Sequence, residues 1–236
     1  QRGGQKGGRR AGVMTSFPAG HPCSLGRKDL ARVRENECMV SLKSDGVRYL
    51  LLLCVVDGQC KALCIDRCLR IYEVVLWANE EYFARGTLLD CELVVEHHKS
   101  VLCLQVFDVV TMRGESCRTM LYCDRLQSIH NHLLGELPLG MDDDDADGYV
   151  VDEDKIFAPS SYNYMQLIMC PKRFVKMENG RQMWNERHKS PISNDGMIIN
   201  FNESPIRSGT SYTTLKWKPN NAVDVVVDAK RMAAFC

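Results

Sequence analysis

At 236 residues, with 30 Lys+Arg set against 30 Asp+Glu, the chain carries no net charge. That excludes a chain that coats nucleic acid along its whole length, while leaving room for a local basic site. No apolar stretch approaches the ~20 residues that span a bilayer, and the length suits one large domain, or two small ones, with a core that needs no staples.

In chain order, residues 1–12 are rich in Gly and Arg and contain no apolar run, so residues 1–20 read as a flexible tail and not as a secretory signal. Residues 27–35 read as a helix. The apolar run Met39-Val40-Ser41-Leu42 leads into Lys43-Ser44-Asp45-Gly46-Val47-Arg48, and an apolar strand over 48–56 follows. Asp57-Gly58 predicts a hairpin turn into a strand over 61–65. Strands are expected over 69–76, 87–96 and 101–110, the last two flanking a polar turn at 97–100. A second helix is expected over 118–134, from Leu121, Leu126, Ile129 and Leu133 at near-helical spacing. Residues 141–154 are strongly acidic and read as a solvated loop, because adjacent aspartates repel and lack the turn glycine of a calcium loop. Residues 171–188 read as helical with an interruption near Asn179-Gly180. Strands over 195–201, 212–217 and 222–228 complete an α+β chain of antiparallel meanders.

Several of the twelve cysteines (Cys54, Cys64, Cys91, Cys103) lie inside apolar runs, where they act as small hydrophobes and are expected as reduced thiols. Cys60, Cys64 and Cys68 have an even spacing, but no second ligand cluster accompanies them, so zinc is not expected. Cys64 and Arg70 have the spacing of a cysteine phosphatase loop without its glycines.

Five phrases place polar residues where a β protein would place hydrophobes. They are 43–48, Leu89-Asp90-Cys91-Glu92-Leu93, Val106-Phe107-Asp108, Asn194-Asp195-Gly196-Met197-Ile198-Ile199 and Leu215-Lys216-Trp217-Lys218-Pro219. Charges beside apolar strands need partners, so these groups are expected to face one another. Lys216 and Lys218 alternate, which puts both on one side of a strand and Trp217 on the other; such a pair suits an anionic ligand.

In identity and order the five phrases resemble the covalent nucleotidyltransferase superfamily of mRNA capping guanylyltransferases and polynucleotide ligases. The resemblance runs from about Pro22 to Val227. Within the superfamily, the capping guanylyltransferase domain is the better match. Pro22-x-Ser24 is similar to its lead-in segment, Asp195-Gly196 stands where ligases carry Glu-Gly, and Lys216-Trp217-Lys218-Pro219 with Val223-Asp224 is close to the capping form. The resemblance implies a nucleotidyltransferase domain of antiparallel sheets with flanking helices over 21–236, and an mRNA guanylyltransferase activity. Lys43 would attack the α-phosphorus of GTP, expel pyrophosphate and carry GMP as a phosphoramidate. The GMP would then pass to the 5′-diphosphate end of RNA. An amine must be neutral to attack, and Lys216, Lys218 and Arg48 are the cations expected to favour that form.

By the same resemblance, Arg48 would bond the ribose, Phe107 stack on the base, and Asp45 structure the turn. Glu92 would lie near the ribose and metal, and Lys216 and Lys218 would neutralise the α-phosphate. Glu92 and Asp195 would hold Mg²⁺ or Mn²⁺. The family's guanine-reading lysine falls between Phe107 and Asp195 and is not assigned to a residue. Cys91 replaces the family's usual glycine. The family also implies an OB-fold domain, with triphosphatase or methyltransferase modules, on a longer chain or a partner. It implies an intracellular location, nuclear or, for a viral chain, a cytoplasmic virus factory or the virion. An ATP-dependent ligase adenylation domain, or a silent nucleotide- or RNA-binding module, are the alternatives.

Overall fold

The turn at Asp57-Gly58 shows how local sequence sets this architecture. Both residues take positive φ (50° and 76°), the pattern of a two-residue hairpin loop whose twist matches its strands. It joins β3 (Val47–Val56) to β4 (Gln59–Ile65), with Val56 opposite Gln59. The computed structural model describes residues 16–76, 78–97, 101–133 and 167–219. Residues 1–15 of the tail expected over 1–20, the acidic segment 141–154 and the strand at 222–228 lie outside the described residues.

Two sheets form. The smaller orders β1 (Gly20–Ser24), β12 (Gly209–Trp217), β11 (Asn194–Phe201), β2 (Cys38–Ser44) and β10 (Val175–Lys176) side by side. The larger runs β5 (Ile71–Val74), β4, β3, β6 (Thr87–Glu96), β7 (Val101–Met112) and β8 (Glu115–Ser116), with β9 (Leu167–Pro171) paired on β7. The pairings are antiparallel, as the meander pattern predicts, except that β1 on β12 and β9 on β7 run parallel.

Alternation along the strands separates two faces. Leu51 and Leu53 of β3, Leu89 and Cys91 of β6, and Leu104 and Val106 of β7 bury one face of the larger sheet. The short α2 (Glu80–Ala84) and α3 (Tyr122–Leu133) cover that face through Tyr82, Phe83, Tyr122, Leu126 and Ile129. On the smaller sheet, Val40, Met197, Ile199 and Leu215 pack with Val33 of α1 (Leu30–Glu35) and Trp184 of α4 (Gly180–Asn185). The opposite faces carry the polar residues of the five phrases.

Four expectations change. Residues 171–176 are not helical: Pro171 ends β9 opposite Val106, in a parallel pairing at the sheet's margin that suits a residue with no N–H, residues 172–174 form a connection, and Val175–Lys176 form β10 on β2. Gly180 begins a helix and does not interrupt one; it is buried, and a Cβ there would meet Val40 at 3.1 Å. The fold also begins before residue 20, because Phe17 and Ala19 are buried with Leu50, Ile65 and Val110. Lastly, Cys103 and Cys170 form a disulfide and not two thiols, since the β7–β9 pairing brings their Cα atoms to 6.7 Å, a separation this bond spans. Cys60, Cys64 and Cys68 are free thiols; Cys64 is a buried core residue and the other two are exposed.

Candidate active site

The phrase Lys43 to Arg48 crosses from one sheet to the other. Lys43 belongs to β2 of the smaller sheet and Arg48 to β3 of the larger, with Asp45-Gly46 as the whole connection. Two glycines permit the approach. A Cβ on Gly46 would lie 2.5 Å from the Leu93 carbonyl oxygen, and one on Gly196 would overlap the carbonyl of Trp217. Asp45 is exposed, and its N–H donates to Ser193 O at 2.9 Å, tying the turn to the lead-in of β11.

On the smaller sheet, register sets the polar face. Met197 lies opposite Leu42 and Trp217, and Gly196 opposite Lys43, with Asp195 in a bulge. Lys43 Nζ lies 2.8 Å from Asp195 Oδ1, and Lys218 Nζ lies 2.5 Å from Asp195 Oδ2. One carboxylate thus bridges the candidate nucleophile and the last strand lysine. Burial pushes the Asp195 carboxyl up, but the hydrogen bonds from Lys218 and Lys43 outweigh it and hold the group below its usual range. Lys216, opposite Ile198 and Ser24, alternates with Trp217, whose ring packs edge-on against Trp184 at 4.9 Å on the other face.

On the larger sheet, Arg48 and Glu92 are cross-strand partners and share a face. Arg48 grips Asp90 with two bonds, Nε to Oδ1 at 2.8 Å and Nη2 to Oδ2 at 2.5 Å, and donates through Nη1 to Gly20 O at 2.7 Å. Its guanidinium lies 5.3 Å from the Phe17 ring and 5.4 Å from that of Phe107. Of the three cations expected to act on Lys43, Arg48 is thus already paired with Asp90, and Lys218 shares the Asp195 carboxylate with Lys43. Phe107 reaches this face through a β-bulge: Asp90 pairs with Asp108 and Cys91 with Val106, so Phe107 is the unpaired residue between them. Cys91 points away, into the main core, so the departure from glycine does not narrow the site.

The sequence reading missed what supports these groups. Tyr122 OH donates to Phe107 O at 2.8 Å, and Arg125 Nε donates to Asp108 Oδ1 at 2.7 Å. Burial pushes the Asp108 carboxyl up, Arg125 opposes that, and Asp90 adds to it. It also missed Lys172, which is buried just after β9. Its Nζ donates to Ser44 Oγ at 2.9 Å, Ser44 Oγ donates to Gln105 Oε1 at 2.5 Å, and the ammonium lies 6.0 Å from the Phe107 ring. Burial lowers its pKa to about 8; Glu92 opposes the shift and Lys43 adds to it. Lys172 sits in the interval where a base-reading lysine is expected. A lysine beside a proline inside an apolar run (Leu167 to Phe174) was the available signal.

Exposure grades through the site. The side chains of Lys218, Asp195 and Lys43 are 38%, 34% and 23% exposed, whereas Arg48 and Asp90 are 8% and 3%. The lysines mark the open end, and the Arg48–Asp90 pair with Phe107 and Lys172 marks the deep end. Among the described residues no three His, Cys, Asp or Glu side chains gather into a metal-binding group. Glu92 and Asp195 can offer two carboxylates, and phosphate and water oxygens can supply the rest of a shell for a hard divalent ion.

Comparison with known proteins follows the same pattern. The family described as "mRNA capping enzyme, catalytic domain" matches residues 8–220. The alpha subunit of the mRNA-capping enzyme of Schizosaccharomyces pombe is 27% identical over 90% of this chain and 53% of its own length. The corresponding subunit of Neurospora crassa is 28% identical over 86% of this chain and 50% of its own. The chain thus spans about half the length of these relatives. Among solved structures, the ATP-dependent DNA ligase from bacteriophage T7 in complex with ATP aligns with a TM-score of 0.55, covering 86% of this chain and 69% of that one at 13% identity, a likeness of fold.

Proposed function

The chain belongs to the mRNA capping enzyme catalytic-domain family, and from that premise we propose that it is the guanylyltransferase domain of a capping enzyme. The observation that carries the reading is the Lys43–Asp195–Lys218 chain, set across a two-residue turn from Arg48, Glu92 and Phe107. In the first step, the Nζ lone pair of Lys43 forms a bond to the α-phosphorus of GTP, the bond from that phosphorus to the bridging oxygen breaks, and pyrophosphate leaves. In the second, a terminal phosphate oxygen of 5′-diphosphate RNA attacks the same phosphorus, the P–N bond breaks, and the lysine recovers its proton.

An ion-paired ammonium is not a nucleophile, so Lys43 must leave Asp195 and shed its proton before attack. Phosphates arriving at the open end supply the exchange: they draw Lys216 and Lys218 to themselves and free the Asp195 carboxylate. Glu92 and Asp195 would then hold Mg²⁺ or Mn²⁺, which adds charge neutralisation at the phosphates. Phe107 stacks on the base, Arg48 borders the ribose, and Lys172 with Ser44 meets the edge of the guanine. An OB-fold domain and triphosphatase or methyltransferase modules, on a longer chain or a partner, would complete the pathway, and the location would be intracellular.

The test is incubation with α-labelled GTP or ATP and Mg²⁺ or Mn²⁺, followed by denaturation. GTP-dependent labelling of the chain, absent with ATP, is expected. Labelling by ATP alone would make it a ligase-type adenylyltransferase, and labelling by neither would leave a nucleotide- or RNA-binding module.

A further inference from the structure

The strands of the smaller sheet end together. Ser24 of β1 lies opposite Lys216 of β12, β12 ends at Trp217, and β11 begins at Asn194 opposite Ser44, where β2 ends. Lys43, Asp195 and Lys218 sit at this end, so the segments that enter and leave it form the rim of the site. Two of those segments are basic. After β1 come Arg27 and Lys28, both exposed, with Leu25 N–H holding the segment to Lys216 O at 2.9 Å. Before β11 comes the exposed turn Arg187-His188-Lys189. Asn194 Nδ2 donates to Arg187 O at 3.4 Å, which ties that turn to the residue next to Asp195. The Arg187 guanidinium lies 4.1 Å from the centre of the Trp184 ring, a flat cationic surface pinned in place. In a chain whose charges cancel overall, cations on both flanks of one sheet end are a local feature. The acid nearest in this turn, Glu186, is spanned by Lys189 at 3.8 Å, and Asp29 beside Lys28 is buried and paired with Arg32 at 3.6 Å.

The acceptor of the proposed reaction is a polyanion. Its diphosphate end must reach the GMP on Lys43, and every nucleotide behind that end must lie outside, across this rim. We propose that the two flanks, Arg27-Lys28 and Arg187-His188-Lys189, form the docking track for the body of the acceptor RNA, engaging its phosphates and not its sequence. This rests on the guanylyltransferase reading and adds the surface that holds the second substrate. An acidic protein segment would find the same charges, and the test separates the two.

The experiment compares the wild-type protein with two charge reversals, Arg27→Glu/Lys28→Glu and Arg187→Glu/Lys189→Glu. Three quantities are measured: GMP labelling of the protein, GMP transfer to a 5′-diphosphate dinucleotide and to a 5′-diphosphate RNA of about 20 nucleotides, and binding of the same longer RNA by fluorescence anisotropy across a salt series. In the wild type, KM is expected to be about tenfold lower for the longer RNA than for the dinucleotide, with binding that weakens steeply as salt rises. Each reversal is expected to erase that advantage and flatten the salt dependence, while labelling and dinucleotide transfer stay within about twofold. Equal KM values for the two acceptors in the wild type, or reversals that leave the length advantage intact, overturn the track while the labelling still stands. Binding of an acidic peptide as tight as that of RNA overturns the assignment of the partner. Absence of labelling in the wild type, by contrast, overturns the guanylyltransferase reading, and the anisotropy arm still reports whether the rim holds RNA.

Discussion

Lys172 shows two demands competing at one residue. Its ammonium is buried, and burial moves its pKa down to about 8. Between that value and the ~10.4 of a free lysine, the unfolded chain holds a proton that the folded chain has released, so stability rises with pH across this window. Below pH 8 both states are charged and the folded state bears the full desolvation cost. Lys172→Met is therefore expected to be more stable than the wild type at pH 7, by about 2 kcal/mol, with the gap closing as pH approaches ~10.4. The same variant loses the donor that faces Ser44 and is proposed to meet the base edge, so GTP labelling is expected to fall at least about tenfold. Urea melts at a series of pH values, set beside labelling rates, check both halves. A variant that is less stable than the wild type at pH 7 contradicts the account. The signal at Lys172 was weak because Lys172-Arg173 reads as a solvent-facing basic pair until the fold closes over the lysine and leaves the arginine exposed. Lys43, Arg48 and Asp195 were legible because each sits in a phrase whose neighbours, Asp45-Gly46 and Gly196, carry their own geometric demands.

At the level of elements, α3 works as the support of the bulge in β7. Tyr122 holds the Phe107 carbonyl, and Arg125, 1% exposed on its side chain, holds Asp108. Removing one partner of a buried pair strands the other, so Arg125→Met is expected to cost about 3–5 kcal/mol of stability. Tyr122→Phe, which removes one hydrogen bond, is expected to cost about 1 kcal/mol and to raise KM for GTP more than it lowers kcat. Thermal melts and steady-state labelling read the two; equal stability of Arg125→Met and the wild type would contradict the support role. The sequence announced much of this scaffold. The strand over 87–96 and the Asp57-Gly58 turn stand where alternation and turn chemistry put them. The strand β9, Leu167–Pro171, escaped because its partner, β7, is remote in sequence, and a parallel pairing leaves no local turn signal. Arg125 escaped because a charged residue on a helix reads as solvent-facing unless its buried acid is known.

For the whole molecule, the candidate site depends on two sheets meeting at Asp45-Gly46. The proposed nucleophile, Lys43, belongs to one sheet, and Arg48, Glu92 and Phe107 belong to the other. Inserting two glycines after Asp45 is expected to leave both sheets folded, since their cores are separate clusters, while lowering the labelling rate by at least about a hundredfold through lost alignment. A melt that stays cooperative alongside lost labelling supports this, and full labelling contradicts it. The most direct measurement for the central claim is the location of the nucleotide itself. The protein is incubated with GTP and a divalent ion, digested under alkaline conditions that preserve phosphoramidates, and its peptides are mapped by mass spectrometry. The account predicts a single GMP on Lys43 and none in Lys43→Ala. GMP on Lys172 or any other residue, or an adduct that survives Lys43→Ala, would contradict it.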